Sequence, residues 1–323
     1  MSTCELALER DGLPMSEILI SIIVPAYNYA AVLPRAVESV LSQLSEASAE
    51  LLVIDDGSTD STPGVIASLH ALHGARFTSI RKANGGLASV RNYGLSRARG
   101  LYLVFLDADD EMLPGALAAL SAHIAQHPHT RMVIAGHHSV SFNGRRLIHP
   151  VGRLAETAGA RLKAYLFDKT LSLNNGACAM HRDVFSVGLY PERFRSAEDI
   201  PVFAQVLARF SCTVLDIPMA AIHKHPASLR RNLEFAQQAG VALVDEVFSE
   251  QRMPERYQHL RRRYYVQRCL SLFRLFSSAG RNAEALGFFR DALRAYPLVL
   301  TRWSYTRKAL RILLGLRSRR RAS

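Results

Sequence analysis

At 323 residues, with 49% hydrophobic and 21% charged side chains, the chain can bury a full core, and its length suits one large domain plus a smaller second unit. Cys4, Cys178, Cys212 and Cys269 lie far apart with no CxxC spacing, which argues against a zinc site or disulfide framework and points to a reducing cytoplasm. The formal charge of +12 is uneven: residues 252–323 carry +15 and the first 251 carry −3, so only the tail seeks anionic partners.

The segment before Ile18 lacks the apolar run of a secretory signal, and residues 1–17 read as a flexible arm. Met112 to Thr130 is uncharged but holds two prolines and three histidines, so no transmembrane helix is expected. Ile18 to Val24 (ILISIIV) is a β-rich apolar run ending at Pro25, as in a strand buried on both faces. Val37, Val40, Leu41 and Leu44 then recur at helical spacing after Pro34, and Leu51 to Ile54 forms a second apolar strand ending at Asp55. A helix over 62–72, a strand over 77–80, a helix over 87–97 and a strand over 102–106 follow. This alternation predicts an α/β domain with a mostly parallel sheet, helices on both faces and ligands beyond the carboxyl ends of the strands.

After a helix over 114–126, the segments 132–140 and 146–151 flank Asn143-Gly144, a dipeptide suited to a hairpin turn, so the sheet becomes mixed. Thr213 to Leu215 reads as a further strand. Beyond Leu229 the pattern is helical, with breaks near Pro254, Gly280 and Pro297, and the domain boundary is set near Ser228.

Two acidic motifs end parallel strands. Asp55-Asp56-Gly57-Ser58 stands at the end of the second strand, where a carboxylate can accept from a base or ribose, or simply cap the next helix. Asp107-Ala108-Asp109-Asp110 crowds three carboxylates onto one turn. A hard divalent cation shared with diphosphate oxygens would offset their repulsion; the plainer alternative is a solvated turn before the Pro114 helix. Both motifs would face one crevice and together describe a nucleotide-diphosphate site. Neither GxGxxG nor GxxxxGK[ST] occurs at the first strand, so the usual dinucleotide and P-loop cradles are missing.

Five segments in order carry a resemblance: Ser21-Ile-Ile-Val-Pro-Ala-Tyr-Asn28, Asp55-Asp-Gly-Ser-Thr-Asp60, Asn84-Gly-Gly-Leu-Ala-Ser-Val-Arg-Asn92, Asp107-Ala-Asp-Asp110 and Glu198-Asp199. Over residues 18–228 the chain resembles an inverting family 2 glycosyltransferase of the bacterial type with the Rossmann-like GT-A fold. The basic helical region, 229–323, lies outside that resemblance. It implies that Pro25, Tyr27 and Asp56 surround the nucleoside, with Asp56 reading the base, and that Arg91 lies near the nucleotide. Asp109 would contact Mn2+ or Mg2+, Asp107 the sugar nucleotide and the metal, and Asp110 would be a substitute ligand. Asp199 matches the general base, with Glu198 orienting its loop or the acceptor, although such a pair can also merely open a helix. His223 and His225 stand on one extended segment, and His225 fits better a histidine that approaches the diphosphate or metal.

The implied reaction moves a sugar from a nucleotide sugar, expected to be a UDP-sugar, to a hydroxyl of a glycan or lipid-linked acceptor in polysaccharide biosynthesis. A sugar-1-phosphate nucleotidyltransferase would share the layout, but its glycine-rich first loop is replaced by Val24-Pro25-Ala26-Tyr27-Asn28. Nucleic-acid binding by the arginine-rich tail, with Arg261-Arg262-Arg263-Tyr264-Tyr265 as its basic and aromatic run, is a reading of another class. The acidic crevice argues against nucleic acid as a partner. After Pro297, a helix is expected to gather Trp303, Leu310, Leu313 and Leu314 on one side and Arg307, Lys308 and Arg311 on another, with Arg317, Arg319, Arg320 and Arg321 beyond. Such a helix suits peripheral attachment to the anionic inner face of the cytoplasmic membrane, although Arg302 interrupts its apolar side.

Overall fold

The structure, a computed structural model, describes residues 18–224 and 233–315. The expected arm, Ser228, His225 and Arg317 to Arg321 lie outside those residues. The front half alternates β1 (Ile20–Ala26), α1 (Leu33–Leu41), β2 (Ala49–Asp55), α2 (Thr62–His73), β3 (Thr78–Arg81), α3 (Leu87–Arg97) and β4 (Tyr102–Phe105). Then come β5 (Glu111–Met112), α4 (Ala116–Gln126), the hairpin β6 (Met132–Val140) and β7 (Arg146–His149), α5 (Ala158–Lys163), β8 (Cys178–His181), α6 (Asp199–Arg209) and β9 (Cys212–His223). A helical region follows: α7 (Leu233–Ala239), α8 (Ala242–Val247), α9 (Arg261–Ser278), α10 (Asn282–Ala295) and α11 (Trp303–Leu313).

Among the described residues these strands form one nine-stranded sheet in the order β3-β2-β1-β4-β8-β6-β9-β5, with β7 paired to β6. The first four run parallel, β8 is antiparallel to β4 and β6, and β9 is parallel to β6. Period-two alternation sends Ile20, Ile22 and Val24 of β1 into a core with α1, α2 and α4, and Ile23 into a second core with α3 and α6. Helices therefore cover both faces, as the alternating pattern requires. Pro25 lies inside β1, beyond its last pair with β4, Ile23 with Phe105. From there one side of the strand has no partner, so the missing N–H is tolerated.

Three strands depart from the expectation. β9 runs to His223, far past Leu215, because a register shift at Ala135 and Gly136 of β6 absorbs the irregularity around Pro218. Its Asp216 and Pro218 hide the strand from a periodicity search. β8 and the two-residue β5 carry no legible pattern; β5 exists because Glu111 and Met112 pair with Ala221 and Ala220, which draws the acidic turn toward the end of β9.

The helical region has two cores. Leu243, Val244 and Val247 of α8 pack with Leu162, Ala204 and Ala208 of α5 and α6. Phe273, Phe276, Phe289, Val299 and Ala309 join α9, α10 and α11. No helix among the described residues is long and apolar enough to cross a membrane, and Cys178, Cys212 and Cys269 are free.

The join between β4 and β1 has little tolerance. A Cβ on Gly100 would fall 2.5 Å from Ser21 N and 2.7 Å from Ile20 C, backbone atoms that cannot swing aside, while Gly100 N donates to Ser21 Oγ at 2.8 Å. Gly100→Ala is expected to destabilise the fold by about 1–3 kcal/mol. Gly64→Ala on α2, where nothing lies within 4 Å, should be neutral or stabilise by up to about 1 kcal/mol. Urea unfolding of the pair tests this; equal midpoints would show that the join can relax.

Candidate functional site

The parallel strands β2 and β4 end at Asp55 and Phe105 on either side of β1, so both acidic motifs open at one sheet edge. The first motif is held rigidly. Asp55 Oδ1 accepts from Ser58 N at 2.9 Å, and Asn28, at φ 59, accepts from Thr59 N at 2.8 Å. A left-handed residue other than glycine is strained but is tolerated best by asparagine. Asp60 accepts from Thr62 N at 2.9 Å, so it supports the start of α2.

Asp56 is 2% exposed, and its carboxylate is already engaged. Oδ1 accepts from Gly85 N at 2.9 Å and Lys82 Nζ at 2.7 Å, and Oδ2 accepts from Gly86 N at 2.7 Å. Asn84 Nδ2 donates to Asp56 O at 3.0 Å. Gly85 and Gly86 thus clamp Asp56 with their amides. Gly86, at φ +86, also leaves room for the Arg195 guanidinium that lies against it.

Arg91 of α3 is likewise 2% exposed. Its Nη1 donates to Glu198 Oε1 at 2.7 Å and its Nη2 to Asp107 Oδ1 at 3.0 Å. The guanidinium lies 5.3 Å from the centre of the Tyr190 ring. Asn92 fixes that tyrosine by accepting from Tyr190 N at 3.0 Å and donating to Tyr190 O at 2.8 Å, and Tyr190 OH donates to Asn175 Oδ1 at 2.8 Å. Burial alone would lower the Arg91 pKa, but Asp107 and Glu198 hold it above the ordinary value. Burial raises Glu198, and Asp199 pushes the same way against Arg91. A guanidinium between two carboxylates has the charge-assisted geometry that holds elements together in a low dielectric.

The turn 107–110 faces three ways. The Asp107 side chain is 44% exposed. Arg35 of α1 donates to the Asp109 carbonyl. Asp110, 4% exposed, accepts from His223 N at 2.8 Å. Glu111 Oε1 lies 2.6 Å from His223 Nε2 and 3.3 Å from Arg35 Nε. Burial, then Asp107 and Asp109, push the Asp110 carboxyl up to about 9. Burial and the same three aspartates raise the Tyr29 phenol. Negative charge is therefore in excess at this turn.

Glu198 and Asp199 open α6 directly after Ala197, which has φ 64. Glu198 makes no capping hydrogen bond through its side chain; Arg91 holds it instead. Asp199 is half-buried beside it. Asp107, Glu198 and Asp199 thus gather around Arg91, Asp109 and Asp110 crowd Asp107 within its turn, and Asp56 stands at the end of β2 on the other side of β1. Tyr27 is exposed and Pro25 is buried within β1. His223 contacts Glu111, and His225 lies outside the described residues.

A sequence profile described as Glycosyl transferase family 2 matches residues 21–189, more than half of the chain. The chain belongs to glycosyl transferase family 2. An uncharacterized glycosyltransferase, EpsJ of Bacillus subtilis (strain 168), is 44% identical over 93 residues, 28% of this chain and 26% of that protein. A chondroitin synthase of Pasteurella multocida (strain Pm70) is 41% identical over 99 residues, 31% of this chain and 10% of that one. The chain therefore spans about a quarter or less of the length of these curated relatives.

The first 349 residues of S. aureus TarS share the GT-A fold, with TM-score 0.64 and 20% identity over 92% of this chain and 90% of that one. The mannosyltransferase PcManGT from Pyrobaculum calidifontis, described in complex with GDP-Man and Mn2+, gives TM-score 0.52 at 17% identity over 92% and 86%.

The motifs single out Asp56, Arg91, the acidic turn and the Glu198-Asp199 pair and contain Asn92 without giving it a role, whereas Lys82, Tyr29, Arg35, Glu111 and Tyr190 lie outside them. Asn92 ends the motif that carries Arg91, and Lys82 precedes the Asn84-Gly85-Gly86 turn, so a place in or beside a motif is the available signal. Glu111 directly follows the acidic turn and carries the same signal, whereas Tyr190 gives none, since only tertiary structure brings it in.

Asp110 yields a stability prediction. A carboxyl whose folded pKa exceeds its unfolded value, about 3.9, favours the fold at low pH and loses that contribution as pH rises toward about 9. Asp110→Asn keeps an oxygen for His223 N and removes the charge. Without divalent cations, the variant should melt higher than wild type by roughly 2–4 °C for each ~1 kcal/mol gained, with the gap widening from pH 5 to pH 8. Thermal melts across that range check it; a variant that melts lower at every pH would refute the charge argument.

Proposed function

We propose that the domain transfers a hexosyl group from a nucleotide sugar to a hydroxyl of a glycan or lipid-linked acceptor in polysaccharide assembly, inverting the anomeric carbon. The observation that carries this reading is the Arg91 bridge: one buried guanidinium grips carboxylates from the β4 turn and the start of α6. Direct displacement needs a leaving-group side and a base side at one crevice, and the bridge joins the segments suited to each. A UDP-sugar is the favoured donor, because the TarS fragment of the same fold is described in complex with UDP and with UDP-GlcNAc. Nothing in the site favours nucleotidyl transfer or nucleic acid.

In this reading Asp56 and Tyr27 bound the nucleoside, with Pro25 in the strand beneath and Arg91 behind the crevice. Asp199 accepts the acceptor's hydroxyl proton as that oxygen attacks the anomeric carbon. The new C–O bond forms while the bond to the diphosphate oxygen breaks, and the electron pair leaves with the nucleoside diphosphate. A hydroxyl is too weak an acid to ionise beforehand, so the proton moves as the bond forms. Glu198, fixed by Arg91, positions Asp199 and the acceptor.

A divalent cation is compatible with the turn. Among the described residues no group of three or more His, Cys, Asp or Glu can hold a metal ion, but Mg2+-type sites commonly use one or two carboxylates plus substrate phosphates and water. Asp107, Asp109 and Asp110 stand on one short turn, and after burial, the larger cause, the two neighbouring carboxylates help push Asp110 up to about 9; a cation beside the turn would relieve that repulsion. Asp109 and Asp107 would hold Mn2+ or Mg2+, which would neutralise charge growing on the leaving diphosphate. Asp110, committed to His223 N, is the weaker candidate.

Two experiments test this. Asp199→Asn should slow transfer by about 10² to 10⁴ while leaving UDP affinity within a few-fold; near wild-type transfer would remove Asp199 from the mechanism. Donor hydrolysis should be screened across UDP-, GDP- and dTDP-sugars with and without Mn2+ or Mg2+. Asp109→Ala should lose metal-dependent UDP binding, and Asp56→Ala should weaken nucleoside binding even without metal. UDP binding indifferent to chelator would overturn the metal assignment alone.

A further inference from the structure

Seven of the fifteen exposed large apolar side chains among the described residues fall between positions 296 and 314: Tyr296, Leu298, Leu300, Trp303, Leu310, Leu313 and Leu314. This concentration does not come from a frayed end. Val299 and Ala309 are 0% and 2% exposed and lie in the core with Phe273 and Phe289, so the segment is docked and its other side is bare. At 100° per residue, Trp303 and Leu310 of α11 fall on one stripe that its C-cap, Leu314, continues, while Tyr305, Ala309 and Ile312 face the core. Trp303 is 64%, Leu313 65% and Leu314 70% exposed. A docked helix with so much uncovered apolar surface marks a place for a partner.

Charge identifies the partner. Arg307 and Arg311 are exposed along the border of the stripe, and exposed Arg302 stands at the helix entrance. From residue 292 onward the sequence holds nine Lys and Arg and no Asp or Glu. We infer that the ridge formed by 296–301 and α11 docks on an anionic phospholipid bilayer, the leucines entering the acyl boundary, Trp303 lying at the headgroup level and the arginines meeting lipid phosphates. Apolar side chains bordered by cations are the chemistry of an interfacial helix. Nucleic acid would satisfy the arginines but gives the five exposed leucines nothing to bury against. The inference goes beyond the donor chemistry and does not use the crevice residues.

Trp303 is the single tryptophan of the chain, so its emission reads this surface alone. Full-length protein mixed with phosphatidylglycerol-containing vesicles should show a blue-shifted Trp303 emission that brominated lipid quenches. Pure phosphatidylcholine vesicles should give a much weaker response, and the anionic response should fall with salt. Arg307→Gln/Arg311→Gln should bind anionic vesicles about thirtyfold more weakly, and Leu310→Asn/Leu314→Asn should abolish the quenching. Wild-type thermal midpoints and UDP affinities in both variants would show that fold and crevice are intact. Unchanged Trp303 emission on anionic vesicles overturns the proposal. So does a shift that appears with protein concentration alone, indicating a second copy of the chain, or one that appears only with RNA or DNA. None of these outcomes bears on sugar transfer, which is assayed separately.

Discussion

The buried guanidinium of Arg91 is the constraint on which the crevice depends. A fully buried cation is tolerated only when paired and hydrogen-bonded, and Arg91 is paired through Nη1 and Nη2 with carboxylates distant in sequence, Glu198 and Asp107, while its Nε is buried without a partner. The parallel half of the sheet supplies α3 and the β4 turn, and the later half supplies the start of α6. The bridge ties the acidic turn to the Glu198-Asp199 pair above the core that Leu103 and Phe105 of β4 share with Val202 and Phe203 of α6. Tyr190, fixed through both of its backbone polar groups by Asn92, closes the remaining side, so Arg91 and Asn92 act together although only one of them is charged.

The opposite wall uses main-chain groups. Asp56 is clamped by two glycine amides and Lys82, and Asn28 holds the following turn through backbone donors. Such a wall is ordered before any ligand arrives, and its ordering entropy is met during folding. The acidic turn is different: its charges are imperfectly balanced, and Asp110 is held near neutrality by burial and crowding. One wall is rigid and satisfied, and the other is electrostatically poised.

The parallel half was legible because buried strands such as Ile20–Ala26 and amphipathic helices such as α1 write their periods directly into the sequence. The antiparallel half was less so. β9 contains Asp216 and Pro218 and depends on a bulge in its neighbour, while β5 is defined wholly by its partner. The same division applies to the site. Asp56, Arg91, Asp107 and Glu198 stand in motifs, so their residue types drew attention. That Arg91 would be buried between two of the others, or that Asp110 would turn to β9, was set by tertiary packing that spacing does not encode. The tail reversed the usual difficulty: the apolar and basic stripes of α11 were readable, and the structure added that the apolar one is uncovered and that 296–301 extends it.

Ala197 carries a cost of another kind. With φ at 64, it holds a conformation that a side chain with a Cβ resists, just ahead of the Glu198-Asp199 pair, and such strain persists only where surrounding contacts over-determine it. Glycine would relax the backbone at that spot, yet it would also free the hinge from which both carboxylates hang. Thermal robustness and aim therefore pull in opposite directions at one position. A lineage selected for heat tolerance and one selected for turnover would read different optima from the same residue.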